Sequence, residues 1–242
     1  MLVKTKGVVL YTLKYGDSSL ILHLYTEKYG RLSVMVKGVS GKKTGTLPAY
    51  FQPLNILETD LYYIPGRNFQ KIKEVRFHYP YHSIPFNIRK STIALFLSEV
   101  LRQTLSEEVN NPPLFSWLFA SLRILDQMEE NFTDFHLAFL IRLCRYLGFH
   151  PHNNYSLQNR IFDLREGIFT ATLPLHPDIL NEPLTALFNA YLRTPLGEKI
   201  IIPKNKERTD KLLEVVLDYY YIHMEGMGKI KSLTVLKDVF KD

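Results

Sequence analysis

The sequence predicts an α+β chain: a small five-stranded β-barrel in the first 80 residues, then a helical region running to residue 242. Before Pro80, short runs rich in β-branched, leucine and aromatic residues alternate with turn signals. After it, apolar residues recur at three- and four-residue spacing between helix-capping residues. The distribution of charge separates the same two parts.

The strand runs are GVVLYTL, SLILHLYT, RLSVMVKGV, LNILETDLYYI and FQKIKEVRFHY. Between them lie Tyr15-Gly16-Asp17-Ser18, Lys28-Tyr29-Gly30, the stretch Gly38 to Pro48, and Pro65-Gly66-Arg67-Asn68. In RLSVMVKG, Leu32, Val34 and Val36 alternate with Ser33, Met35 and Lys37, giving one buried and one exposed face. Five short antiparallel strands suit an OB-fold, and an SH3-like barrel fits the count nearly as well.

A long helix is expected from Asn87 to Glu108, striped by Ile93, Phe96, Leu97, Val100, Leu101 and Leu105. Asn111 followed by Pro112 opens a second helix to about Glu130. Thr133 is read as the cap of a third, which ends at Gly148. Further helices are expected at Glu182–Arg193, Glu207–Met224 and Leu233–Phe240. Residues 149–180 carry weak periodicity and read as an irregular lobe with a short hairpin around Arg165-Glu166-Gly167. The expected domains are therefore 1–80 and 81–242.

Of the residues, 46% are hydrophobic and 22% charged, which argues against disorder. One cysteine, Cys144, allows no internal disulfide and suits a reducing compartment. No apolar stretch reaches the roughly 20 residues of a membrane span, and the opening MLVKTKGVVLYTLKYGD lacks a signal-peptide core. A cytoplasmic protein without a membrane partner is expected.

The net charge of +6 becomes informative once located. Residues 1–81 hold twelve Lys/Arg against five Asp/Glu, a net of +7, so the remainder of the chain is −1. A polyanion is the natural partner of the first third. Arg31, Lys37, Lys42 and Lys43 gather around the third strand and its following loop; Arg67, Lys71 and Lys73 gather around the last strand pair. Tyr29, Tyr62, Tyr63 and Phe69 are interleaved with them. Cations on phosphates and aromatic faces on bases are the means by which single-stranded nucleic acid is held. The aromatics serve a barrel core equally well.

Catalytic patterns do not emerge. Gly38-Val39-Ser40-Gly41-Lys42-Lys43-Thr44 departs twice from a phosphate-binding loop, since Val36 and Lys43 stand where Gly and Ser/Thr belong. His150-Pro151-His152, Cys144 and His176 lack the paired spacing of zinc ligands. Cys144 reads as a core thiol. No enzyme, metal or cofactor is expected.

The opening TKGVVLYTLKYGDSSLILHLYTEKYGRLSVMVKGV resembles the N-terminus of the RecO family of DNA repair proteins. The matching motif residues are Tyr15, Gly16, Asp17 and Ser18, then Thr26, Gly30, Arg31, Leu32, Lys37 and Gly38. Phe51-Gln52-Pro53-Leu54 is similar to the family's L-Q-P-F, and Tyr221, His223, Ile230-Lys231-Ser232-Leu233 and Leu236 are similar to its closing motif. The resemblance implies an OB-fold followed by a helical domain. It implies a nucleoid-associated recombination mediator that binds single- and double-stranded DNA, anneals strands and assists RecA loading on DNA coated by single-strand-binding protein (SSB). It also implies RecR and the acidic C-terminal tail of SSB as partners, and Arg31 and Lys37 as DNA contacts. Many members carry a four-cysteine zinc module after a segment like Tyr146-Leu147-Gly148-Phe149-His150-Pro151. Asn153 to Thr172 holds no cysteine, so zinc is not carried over and the lobe should be held by Leu157, Ile161, Phe162, Leu164, Ile168 and Phe169. The competing reading is a generic OB-fold binder of single-stranded DNA or RNA without mediator activity.

Overall fold

Alternation in the first third produces strands β1 (Leu2–Tyr15), β2 (Ser19–Thr26), β3 (Gly30–Lys37), β4 (Ile56–Tyr62) and β5 (Gln70–Tyr79) in the computed structural model. It describes residues 1–37, 47–105, 110–203 and 205–241. The strands close into a barrel of order β1-β2-β3-β5-β4, antiparallel except where β3 meets β5. This is the five-stranded OB arrangement. Val3, Val9, Leu22, Leu24, Val34, Val36, Phe51, Leu57 and Leu61 fill its interior. A four-residue helix, α1 (Leu47–Tyr50), precedes β4 and had no counterpart in the sequence reading.

Helices follow as α2 (Ile88–Thr104), α3 (Pro112–Gln127), α4 (Phe135–Leu147), α5 (Leu184–Arg193), α6 (Lys206–His223) and α7 (Ser232–Val239). The asparagine caps are present: Asn87 accepts from the amides of Arg89 and Lys90, and Asn111 from that of Leu114. Gly148 ends α4 with φ 91°, as a C-terminal glycine should. Thr133 is not the cap of α4. Asp134 holds that position, and its carboxylate receives the Tyr191 hydroxyl instead of helix amides.

Two compact units result, Met1–Gln127 with Ile230–Asp242, and Met128–Lys229. In the first, α2 packs on β1 and α7 packs on α2. Glu99 of α2 caps α7, accepting from the amides of Lys231 (3.0 Å) and Ser232 (2.8 Å) and from the Ser232 hydroxyl.

In the second unit, β6 (Ile161–Asp163) and β7 (Ile168–Thr170) form the expected hairpin, joined by β8 (Ile179–Leu180). Phe162 is buried against Phe169, Phe188 and Tyr219, with ring centres 4.7–5.7 Å apart. Leu164 is buried with them, and Ile161 and Ile168 are half-buried. Leu157, expected in this core, is 82% exposed. Among the described residues no group of three or more His, Cys, Asp or Glu is placed to hold a metal ion. No described helix is long and apolar enough to cross a membrane.

Candidate nucleic-acid interface

The outer face of β1, β2 and β3 is set by one irregularity. A bulge at Leu10 breaks the register between Val9 and Tyr11, so Val9 pairs with Leu24 in the core while Tyr11 pairs with His23 outside. Three outward rows follow: Tyr11–His23–Ser33, then Leu13–Ile21–Met35–Lys71, then Tyr15–Ser19–Lys37. Tyr15 and Leu13 stand exposed in this surface, as does Lys37 at the end of β3.

Beside the second row lies a depression of about 350 Å³ lined by Met35, Gly66, Arg67, Asn68, Phe69 and Lys71. Gln70 shapes it. Its buried side chain donates to the carbonyls of Ile64 and Arg67 and accepts from the Ile64 amide, at 2.9–3.0 Å. That bracing holds the β4–β5 loop, whose Gly66 has φ 72°, so that Arg67 and Phe69 project into solvent. Lys73 is exposed at a bulge in β5, opposite the step from Asp60 to Leu61.

Of the cations singled out in the sequence, the structure therefore groups Arg67 and Lys71 beside Phe69, with Lys37 in the next outward row of β3 and Lys73 further along β5. Lys42 and Lys43 lie outside the described residues. Arg31 points from the outer face of β3 to the end of α2. Its guanidinium donates to the carbonyls of Arg102 (3.2 Å) and Leu105 (3.0 Å) and to the Tyr11 hydroxyl (3.0 Å). Tyr29 and Tyr63 stack on each other at 4.2 Å and pack on the barrel core, so the structural reading holds for these two. Tyr62 and Phe69 are exposed.

The two sides of the barrel differ in charge compensation. On β4 and β5, Glu58 receives Arg76 at 2.9 Å and lies 3.6 Å from Lys4. The Arg76 hydrogen bond, chief among several effects, holds the Glu58 carboxyl below its ordinary range. Among the described residues Lys37, Arg67, Lys71 and Lys73 form no ion pair. Burial, with Arg31 and Arg102 nearby, lowers the pKa of His23 to about 4. That face therefore draws its positive charge from Lys and Arg alone near neutral pH.

Gln70, Tyr11, His23 and Arg102 escaped the sequence reading. Gln70 left a faint trace, a neutral polar residue opening a strand, but nothing local connects Arg102 to a barrel residue 71 positions earlier.

The model of recombination protein O N terminal matches residues 1–81, and that of recombination protein O C terminal matches residues 85–234. A relative from Phocaeicola vulgatus named DNA repair protein RecO is 36% identical over 240 residues, covering 99% of this chain and 100% of the relative. Proteins of the same name from Bacteroides fragilis and Flavobacterium psychrophilum are 36% and 35% identical at the same coverage. With both domains matched in order along its length, the chain belongs to the recombination protein O (RecO) family of DNA repair proteins.

Proposed function

We propose that this RecO-family chain is a non-catalytic recombination mediator that binds single- and double-stranded DNA on the outer face of its barrel. One observation carries this: Arg67 and Lys71 flank exposed Phe69, Lys37 stands in the adjoining outward row, and none of the three forms an ion pair among the described residues. Unpaired cations take phosphates and release their counterions, and an aromatic face accepts a base of any identity. Lys73 extends the charge along β5, and Lys42 and Lys43 are further candidate contacts on the ground of sequence alone. Neutralised on this face, two complementary strands repel each other less and pair.

The domain 1–80 holds the DNA and the helical region 81–242 meets partners, RecR and the acidic tail of SSB, during RecA loading in the cytoplasm at the nucleoid. An apolar groove of about 630 Å³, lined in part by Phe77, Pro80, Tyr81, Ile84, Phe86 and Leu95, has the chemistry to take apolar residues of such a tail.

Anisotropy of labelled oligo-dT across a salt series tests the reading, comparing wild type with Lys37→Ala/Arg67→Ala/Lys71→Ala. Each lost phosphate contact removes roughly 0.7 from the slope of log affinity against log salt, so the variant's slope falls by about 2. A folded wild type without salt-dependent binding overturns the reading. Annealing of SSB-coated strands separates a mediator from a generic single-strand binder.

A further inference from the structure

We infer that the C-terminal end of α2 is part of the nucleic-acid face: Arg102 contacts the DNA backbone from a seat on Tyr11, and Arg31 holds that seat in place. This rests on the nucleic-acid reading of the barrel.

Arg102 is exposed, with its guanidinium carbon 4.2 Å from the centre of the Tyr11 ring. Tyr11 is also stacked with His23, centres 4.0 Å apart and planes 13° from parallel. A guanidinium and an imidazole cannot share one face at those distances, so Tyr11 is sandwiched between them. The cation is thereby held over a ring that the Leu10 bulge has turned outward.

Arg31 completes the seat. The last carbonyls of a helix lack intrahelical partners and carry its negative pole. Arg31 supplies a donor to the Arg102 carbonyl in the last turn and to the carbonyl of the capping residue Leu105, while its other terminal nitrogen binds the Tyr11 hydroxyl. One guanidinium thus ties the end of α2 to the ring on which the next arginine rests. With those donors engaged, Arg31 acts as a positioning residue.

Two features fit a ligand at Arg102. Its row, Tyr11–His23–Ser33, borders the row of Met35 and Lys71, and Lys37 lies four residues further along β3 than Ser33, roughly 13 Å at strand rise. A strand crossing the three rows meets Arg102 at one end and Lys37 at the other. Glu99, one helical turn before Arg102, feels the charge of Arg102 but gives both carboxylate oxygens to the amides of Lys231 and Ser232 and forms no ion pair with it among the described residues.

The test uses the full chain, oligo-dT anisotropy over a salt series, and thermal melts as a folding control. Arg102→Ala is expected to bind about 3- to 10-fold more weakly at low salt, with a slope shallower by about 0.7 and an unchanged melting midpoint. Arg31→Lys keeps the charge but cannot span two carbonyls and a phenol. It is expected to reproduce the loss of Arg102→Ala, and to add nothing when combined with it. Wild-type affinity and slope in Arg102→Ala, with weakened binding in Lys71→Ala, overturn the inference and leave the barrel reading intact. Further weakening by Arg31→Lys in the Arg102→Ala background overturns the positioning role, because Arg31 then touches DNA itself. Absence of salt-dependent binding by the wild type overturns both the inference and the reading beneath it.

Discussion

The Asp126 carboxylate, at the end of α3, accepts the backbone amide of Ser83 at 2.8 Å. It also accepts those of His82 and Ile84, both at 3.0 Å, and the Tyr79 hydroxyl at 3.2 Å. The buried ammonium of Lys90 donates to the Ser83 hydroxyl and to the Asp126 carbonyl. One carboxylate therefore pins the passage from the last barrel strand to α2, where three consecutive amides would otherwise need water.

Asp126→Ala should destabilise the protein by about 3 kcal/mol, since it orphans the buried Ile84 amide together with three part-buried donors. Urea unfolding measures this. Burial works to raise the carboxyl's pKa, but the amides of His82, Ser83 and Ile84 and the Tyr79 hydroxyl outweigh it and hold the pKa down. A depressed carboxylate contributes stability that is present above its unfolded pKa and lost as pH falls through the folded one. The variant should therefore lose less stability on acidification than the wild type. An equal acid dependence in both would contradict this role.

His136 offers the complementary titration in the second unit. Burial, chief among its influences, lowers its pKa to about 4, with Lys206 acting in the same direction and Asp134 against it. The unfolded histidine takes up a proton near pH 6.5 and the folded one near 4, so stability falls as pH drops between those values. The loss is on the order of 3 kcal/mol. His136→Leu should flatten that limb in urea melts at pH 4.5–6.5, and an unchanged slope refutes the assignment.

Cys144 is buried, its thiol donating to the Leu140 carbonyl at 3.4 Å, and burial pushes its pKa up to about 12. A thiol that does not ionise is a poor nucleophile. The native protein should leave Ellman's reagent unreacted while releasing one equivalent of chromophore in denaturant. Rapid native labelling would show the thiol to be accessible.

Gly167 sits at the β6–β7 hairpin with φ 66°, and a Cβ built there would lie 2.7 Å from the Tyr219 hydroxyl oxygen. That hydroxyl donates to the Phe149 carbonyl at 2.7 Å and is not free to retreat without breaking the bond. Gly167→Ala should cost about 2 kcal/mol or more, combining left-handed strain with the clash. Thermal melts provide the measurement. Gly167→Ala/Tyr219→Phe should lose less than the sum of the single changes, and strict additivity would show that the contact does not matter.

The strands and most helices were legible because their signals are local. The alternation of Leu32, Val34 and Val36 with Ser33, Met35 and Lys37 emerged as inward and outward faces. Asn87, Asn111 and Gly148 cap because each acts on atoms within a few residues. Leu157 and Thr133 were misread for the converse reason: an apolar or hydroxyl side chain states a local capacity, and packing elsewhere left both without use.

The sequence by itself determined the barrel, the helices after it, the family motifs and the confinement of the positive charge to the first third. Tertiary structure alone decided which cations remain unpaired. Cross-strand register brings Glu58 to Arg76, and chain closure carries α2 to Arg31 from 71 residues away. A residue's neighbours within one turn or one pleat are fixed by backbone period, whereas its partners across the chain exist only once the barrel has closed.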